Sequence, residues 1–227
     1  MRGETPVVID VPRELVNAHR NVRLFVDKIY VDKVAFLHTI SENINFRTSS
    51  YLKVETKTLL SKSIEKVIKK YEDGGFKVKF VDADMQFECL EDSFGGITLE
   101  IADTNDHVHA IERSIRTMKE GTRSIVVDML FLRVTIVMIK CMVALTTRNL
   151  NQFPSENGIS DKYSPLTIVT GVPLADARKY AIDFGSYVET FEDNGMIQNS
   201  TRTRGTPVIC HSLMPYRKIV LHIISYW

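Results

Sequence analysis

VRLFVDKIYVDKVAFLHTIS, residues Val22–Ser41, is the stretch that decides the fold. It holds two runs rich in β-branched and aromatic residues, Val22–Val31 and Lys33–Ser41, each of strand length. Asp32 and Lys33 between them predict a hairpin turn. A further run, Ile44–Thr48, predicts a third strand, so the chain opens as an antiparallel meander. Asp27 interrupts the first strand. Alternation puts Phe25, Asp27 and Ile29 on one face and Leu24, Val26, Lys28 and Tyr30 on the other. A carboxylate in such a run is costly if buried unpaired, and ordinary if the strand is a half-exposed edge. Both readings stand at this point.

Val54–Tyr71 carries an apolar stripe of Leu60, Ile64, Val67, Ile68 and Tyr71 at helical spacing. Glu65 and Lys69 form a favourable i,i+4 pair, and Gly74–Gly75 stop the helix. The lysines at 57, 62, 66, 69 and 70 read as a solvated face. An alternating strand, Phe76–Val81, follows and ends in Asp82-Ala83-Asp84. A strand–helix–strand crossover makes this strand parallel to its neighbour. The two aspartates are either turn formers or carboxylates at a strand end, where α/β sheets present their chemistry. Gly95–Gly96 introduce a short strand, Ile97–Ile101.

Next comes NDHVHAIERSIRTMKEGTR, Asn105–Arg123. Asn105 and Asp106 are N-cap residues. Val108, Ile111, Ile115 and Met118 share an apolar face, while Glu112, Arg116 and Lys119 form another line with Arg113 and Arg123 nearby. This is either a surface helix with a common Glu–Arg pair or a helix carrying a metal-binding carboxylate beside cations that lie along a nucleic-acid backbone. Gly121 predicts a break before a second long apolar segment that runs to about Thr147. Loop residues follow to Asp161, then a short helix from Ser164-Pro165 to Gly171, an element within Pro173–Asp183, and a strand at Gly185–Thr190.

The totals exclude several classes. The 227 residues are 44% hydrophobic and 25% charged, ordinary for a globular protein, and the net charge of +1 confines any nucleic-acid surface to a local patch. Cys89, Cys141 and Cys210 are odd in number and far apart, which fits a reducing compartment. His107 and His109 splay apart and make a poor zinc pair. Met129–Leu145 is apolar but only 17 residues long and carries Arg133 and Lys140. A membrane span needs about 20 residues largely free of charge, so a buried helix is expected and no membrane partner. The N-terminus lacks the apolar core of a signal peptide.

Three acids, Asp27, Asp84 and Glu112, thus lie on a first strand, at the end of a fourth, and on a helix after a fifth. At this point the chain resembles the integrase catalytic core of copia-type LTR retrotransposon polyproteins. FVDKIYVDKVAFLHTIS (Phe25–Ser41) is similar to that family's first two strands, and GGFKVKFVDADMQFECL (Gly74–Leu90) to the strand with its second acid. HVHAIERSIRTMKE (His107–Glu120) resembles its helix motif HVPEIERxIRTIKE. LNQFPSENGISDKYSPLTIVTG (Leu150–Gly171) resembles LNxFPxxxGISDxxSPxTIVTG, and FGSYVETFED (Phe184–Asp193) the segment after it.

The resemblance implies an α/β, ribonuclease-H-like fold: a mixed five-stranded sheet, three antiparallel strands then parallel ones, with flanking helices. It implies DNA integration by phosphodiester transesterification or hydrolysis, with Asp27, Asp84 and Glu112 as catalytic residues and ligands of two Mg²⁺ or Mn²⁺ ions. Asp84 matches the family's DxxF acid, with Asp82 as the alternative. Arg113, Arg116, Lys119 and Arg123 become contacts to DNA. Self-association is implied, and a nuclear location for an acting integrase. The implied layout is an N-terminal arm at 1–20, a core at 21–150, an extension at 151–205 and a divergent tail at 206–227. There are departures. Ala110 replaces the motif's first glutamate, residues 85–111 make a shorter spacer than the family pattern, and the upstream His/His/Cys/Cys module and the polymerase portion are not in the sequence. They favour a second reading, a catalytically inactive nucleic-acid- or protein-binding remnant.

Overall fold

The computed structural model describes residues 9–102, 109–129, 133–173, 184–191, 205–210 and 221–222. Its main sheet has strands β1 (Asn21–Val31), β2 (Val34–Ser41), β3 (Arg47–Tyr51), β4 (Lys77–Asp84) and β5 (Thr98–Ala102), in the order β3-β2-β1-β4-β5. β1–β2 and β2–β3 are antiparallel, whereas β4 runs parallel to β1 and β5 parallel to β4. This order and these directions are those of the ribonuclease-H-like fold. The hairpin turns at Asp32 and Lys33, both with positive φ, a backbone whose twist matches the flanking strands.

β1 is central. Asp27 therefore stands on an interior strand, half-buried, and the edge-strand reading is corrected. The third strand begins at Arg47, later than its apolar run suggests. Asn43 and Asn45 both take left-handed backbone, tightening the turn, and Ile44 and Phe46 become core residues.

The sheet is covered on both faces. On one lie Val22, Leu24, Val26, Leu37 and Val81, packed with Leu60, Ile64, Val67 and Tyr71 of α2 (Lys57–Asp73). Thr56 caps α2 by accepting from the Leu59 N–H, and Gly74 ends it. Glu65 accepts from the Ser61 hydroxyl at 2.8 Å in place of the expected lysine contact. On the other face Ile29, Val34 and Phe36 meet Met118 of α3 (His109–Val127) and Ile139, Met142 and Val143 of α4 (Ile136–Gln152). Ile111 and Met118 are buried and Ile115 half-buried, as the stripe predicts; Asn105, Asp106, His107 and Val108 lie outside the described residues.

Gly121 does not break α3, which continues to Val127. A Cβ there would stand 2.7 Å from the Thr146 methyl, so this glycine lets α3 and α4 close on each other. The apolar stretch Met129–Leu145 is not one helix, because Thr135 caps α4 from within it. No helix among the described residues is long and apolar enough to cross a membrane.

A short helix, α1 (Arg13–Ala18), precedes β1 within the span expected to be an N-terminal arm. Ser164 caps α5 (Pro165–Thr170), which ends at left-handed Gly171 as expected. Residues 174–183, with most of the element expected at Pro173–Asp183, lie outside the described residues. Strands β6 (Tyr187–Phe191), β7 (Gly205–Cys210) and β8 (Leu221–His222) form a second antiparallel sheet.

Gly74 is the tightest junction on the α2 side. A Cβ there would lie 2.2 Å from the Val169 carbonyl oxygen of α5, a backbone atom unable to turn aside. Gly74→Ala is expected to lower stability by about 1–3 kcal/mol, the range for overpacking. Gly95→Ala, which meets nothing within 4 Å, should leave it nearly unchanged. Urea denaturation of the two variants checks this; equal midpoints would show that α5 does not dock there.

Candidate active site at the ends of β1 and β4

The last paired residues of β1 and β4 are Val26 and Ala83. One step further, the parallel register sets Asp27 beside Asp84, on strands spaced about 4.8 Å apart. Both face away from the core that buries Val26 and Ala83, toward the side covered by α3. Asp84 is exposed and ends its strand; Asp27 is half-buried and accepts a 2.6 Å hydrogen bond from the Lys28 N–H. Burial pushes the Asp27 carboxyl up to about 6, and the charges of Asp84 and Glu112 push the same way. The Lys28 N–H and the Lys119 ammonium oppose them.

Glu112 lies in the first turn of α3, its side chain half exposed, with His109 Nδ1 at 3.9 Å. Its charge is felt at Asp27, yet the acids are not drawn into one cluster. Among the described residues no three His, Cys, Asp or Glu side chains stand close enough to hold one ion. The pair Asp27–Asp84 supplies the hard oxygen donors that Mg²⁺ or Mn²⁺ takes, and their mutual repulsion is what a cation relieves.

The basic residues divide. Arg116 and Arg123 are exposed on the Glu112 line of α3, and Lys119 on that line is half-buried, its charge acting on Asp27. Arg113 instead lines a separate cleft with Arg47. Asp82 points into a different arrangement: Arg23 Nη1 lies 2.7 Å from Asp82 and 2.6 Å from Glu100, with its guanidinium 4.8 Å from the Phe80 ring centre. Burial pushes Asp82 up to about 6 against the pull of Arg23, and its Oδ2 is buried without a partner. Asp82 is thus engaged in bracing β1, β4 and β5 together.

No family model matches the sequence, and no curated protein does. Among solved structures, the chain is similar to the catalytic core domain of BIV integrase. The identity is 17%, the match covers 65% of this chain and 92% of that one, and the TM-score is 0.47. The fold assignment rests on the strand order and directions.

Sequence reasoning misses the group that docks α3 over this face. His38 of β2 is the direct cross-strand partner of Asp27 and is fully buried. Its Nδ1 lies 2.9 Å from Ser49 Oγ and its Nε2 2.8 Å from Ser114 Oγ. Burial, then the Arg47 charge, push the imidazole down to about 3, so it is neutral. Ser114 Oγ also accepts from Arg47 Nε at 3.2 Å. Ser49 Oγ in turn lies 2.9 Å from Thr147 Oγ1, which also stands 2.7 Å from the Val143 carbonyl. Asn151 adds a brace, its amide pairing with both the N–H and the C=O of Arg47. A lone histidine in an apolar strand carries no mark of partners this distant in sequence.

The raised Asp27 carboxyl has a pH consequence. In the folded state it takes a proton near pH 6, whereas in the unfolded chain it does so near about 3.9. Its contribution favours folding below the unfolded value and is lost as pH rises through 6. Asp27→Asn should therefore raise the melting midpoint at pH 8, and this gain should shrink by pH 4.5. Thermal melts at the two pH values check it; an equal gain at both would show that Asp27 is not held protonated by the fold.

Proposed function

We propose that the chain is an integrase-like core, of the copia retrotransposon type, that performs divalent-metal-dependent DNA strand transfer. The observation that carries this reading is the side-by-side placement of Asp27 and Asp84 at adjacent parallel strand ends, with the charge of Glu112 acting on Asp27. The matched motifs from Phe25 to Asp193 support it, as does the fold. Asp27 and Asp84 would hold the cation pair, and Glu112 would complete the set by closing in from α3.

Bound Mg²⁺ or Mn²⁺ would lower the pKa of the attacking water or 3′-hydroxyl and neutralise charge on the phosphodiester and leaving oxygen. The chain's own part is positional. The sheet fixes two carboxylates rigidly, the buried His38 bridge fixes α3, and Arg116, Lys119 and Arg123 hold phosphates along that helix without reading sequence. Such chemistry needs no covalent protein intermediate. In this reading residues 21–150 form the catalytic unit, 151–205 extend it, and the protein self-associates on DNA.

The second reading, a non-catalytic nucleic-acid- or protein-binding remnant, draws on Ala110, which stands where the family motif has its first glutamate. One assay separates the two: cleavage and strand transfer on a labelled branched DNA with Mg²⁺ or Mn²⁺, wild type against Glu112→Gln. The expected result is metal-dependent product from the wild type and a loss of about 100-fold or more in the variant. Folded wild-type protein that binds the DNA but makes no product would favour the remnant. Product unaffected by Glu112→Gln would remove α3 from the chemistry.

A further inference from the structure

The face of α3 turned away from Asp27 borders a second cleft. It has a volume of about 250 Å³ and lies between α3, the β2–β3 turn and residues 155–157. Arg47 and Arg113 both line it, from different elements. Arg47 is half-buried; its guanidinium donates to Ser114 Oγ at 3.2 Å and to the Asn45 carbonyl at 3.0 Å. Among the described residues neither arginine makes an ion pair with a carboxylate. Burial holds the Arg47 guanidinium below its ordinary pKa, and no anion among the described residues offsets this.

A half-buried guanidinium that is hydrogen-bonded through Nε and Nη1 to neutral groups, and has no carboxylate partner among the described residues, is an unfinished ion pair. Asn43, Asn45, Ser155 and Asn157 ring the cleft with neutral polar groups, and Glu156 is the only carboxylate among the described residues of its lining. The walls are tied: Asn45 Nδ2 reaches the Asn157 carbonyl at 3.5 Å, and Gly158 N–H bonds the Ser155 carbonyl at 2.9 Å. Two arginines on the lining of one small cleft match a tetrahedral phosphate better than a cationic ligand.

We infer that this cleft is a phosphate-binding site, with Arg47 and Arg113 as its anion ligands. Its occupant is a backbone phosphate of a nucleic-acid strand. It gives α3 a phosphate anchor on its second side, opposite the line of Arg116, Lys119 and Arg123. That occupant rests on the DNA reading above; the anion site itself does not. The same chemistry would take free phosphate, and the test separates the two sources.

Two ligands are titrated into the full chain: inorganic phosphate, followed by calorimetry, and a fluorescein-labelled branched DNA, followed by anisotropy in Ca²⁺ across a salt series. The variants are Arg113→Gln, Glu156→Gln and Arg47→Lys, with Lys62→Gln on the exposed face of α2 as a control that removes the same charge as Arg113→Gln. Arg113 and Glu156 are exposed, so their replacement leaves the core intact. Arg113→Gln is expected to weaken DNA binding about 3- to 10-fold and to lower the salt slope by about 1, with Lys62→Gln changing it less than about twofold. Glu156→Gln should tighten binding. Phosphate bound by the wild type and lost in Arg113→Gln, with DNA affinity unchanged, supports the anion site and makes free phosphate its occupant. If the wild type binds no DNA, the integrase reading fails and the phosphate titration alone decides the site. Arg113→Gln and Arg47→Lys indistinguishable from Lys62→Gln toward both ligands would overturn the inference.

Discussion

The candidate active face depends on one buried, neutral imidazole. His38 sits beside Asp27 on the neighbouring strand and is hydrogen-bonded through Nδ1 to β3 and through Nε2 to α3. α3 therefore meets the sheet at a polar point of fixed geometry, in addition to the apolar contacts of Met118 and Ile115. Apolar packing alone would let the helix slide or turn by a few degrees at little cost. A hydrogen bond to one imidazole nitrogen does not permit that, because leaving a buried donor or acceptor unmet costs about 1–3 kcal/mol. The imidazole is held neutral by its burial, so the bridge keeps its proton pattern across the physiological pH range. Ser114 lies two residues from Glu112, and the docking of one fixes the rise and rotation of the other.

The charges on this face work against stability. Asp27 is half-buried, next to Asp84 and in the field of Glu112, with Lys119 as partial relief. On the far side of the same helix Arg47 is half-buried without an acid. The fold thus carries partly offset negative charge on one side of α3 and, among the described residues, a cation without an acid partner on the other. In the proposed function a divalent cation would answer the first and a phosphate the second. By contrast, the Arg23–Asp82–Glu100 group has a cation shared by two acids and sits back from the strand ends, where it holds three strands in register.

Much of this fold is legible from local pattern. The Asp32–Lys33 turn, the stripe of α2, the parallel entry of β4 and the Ser164-Pro165 start of α5 follow from features a few residues apart. The failures share a physical cause, contacts made at long range. Gly121 resembles a helix break until Thr146 is seen against it. Asp27 resembles an edge residue until β4 pairs with the free side of β1. Asn43 and Asn45 displace the start of β3 through left-handed turns that an apolar run does not announce. Asp27 and Asp84 are recognisable as acids at strand ends, but their adjacency is a property of register. The His38 bridge is not legible at all, since Ser114 is 76 residues away.

The most direct test of the account is where a paramagnetic divalent ion settles. In ¹⁵N-labelled protein titrated with Mn²⁺, saturable broadening should concentrate on the backbone amides of residues 26–28, 83–85 and 111–113, the segments that carry Asp27, Asp84 and Glu112. Broadening confined to 26–28 and 83–85 would leave Glu112 outside the site and place α3 too far from the sheet. Broadening centred on other acids, such as Glu72 and Asp73 at the end of α2, or spread without saturation, would contradict the proposed metal-binding face.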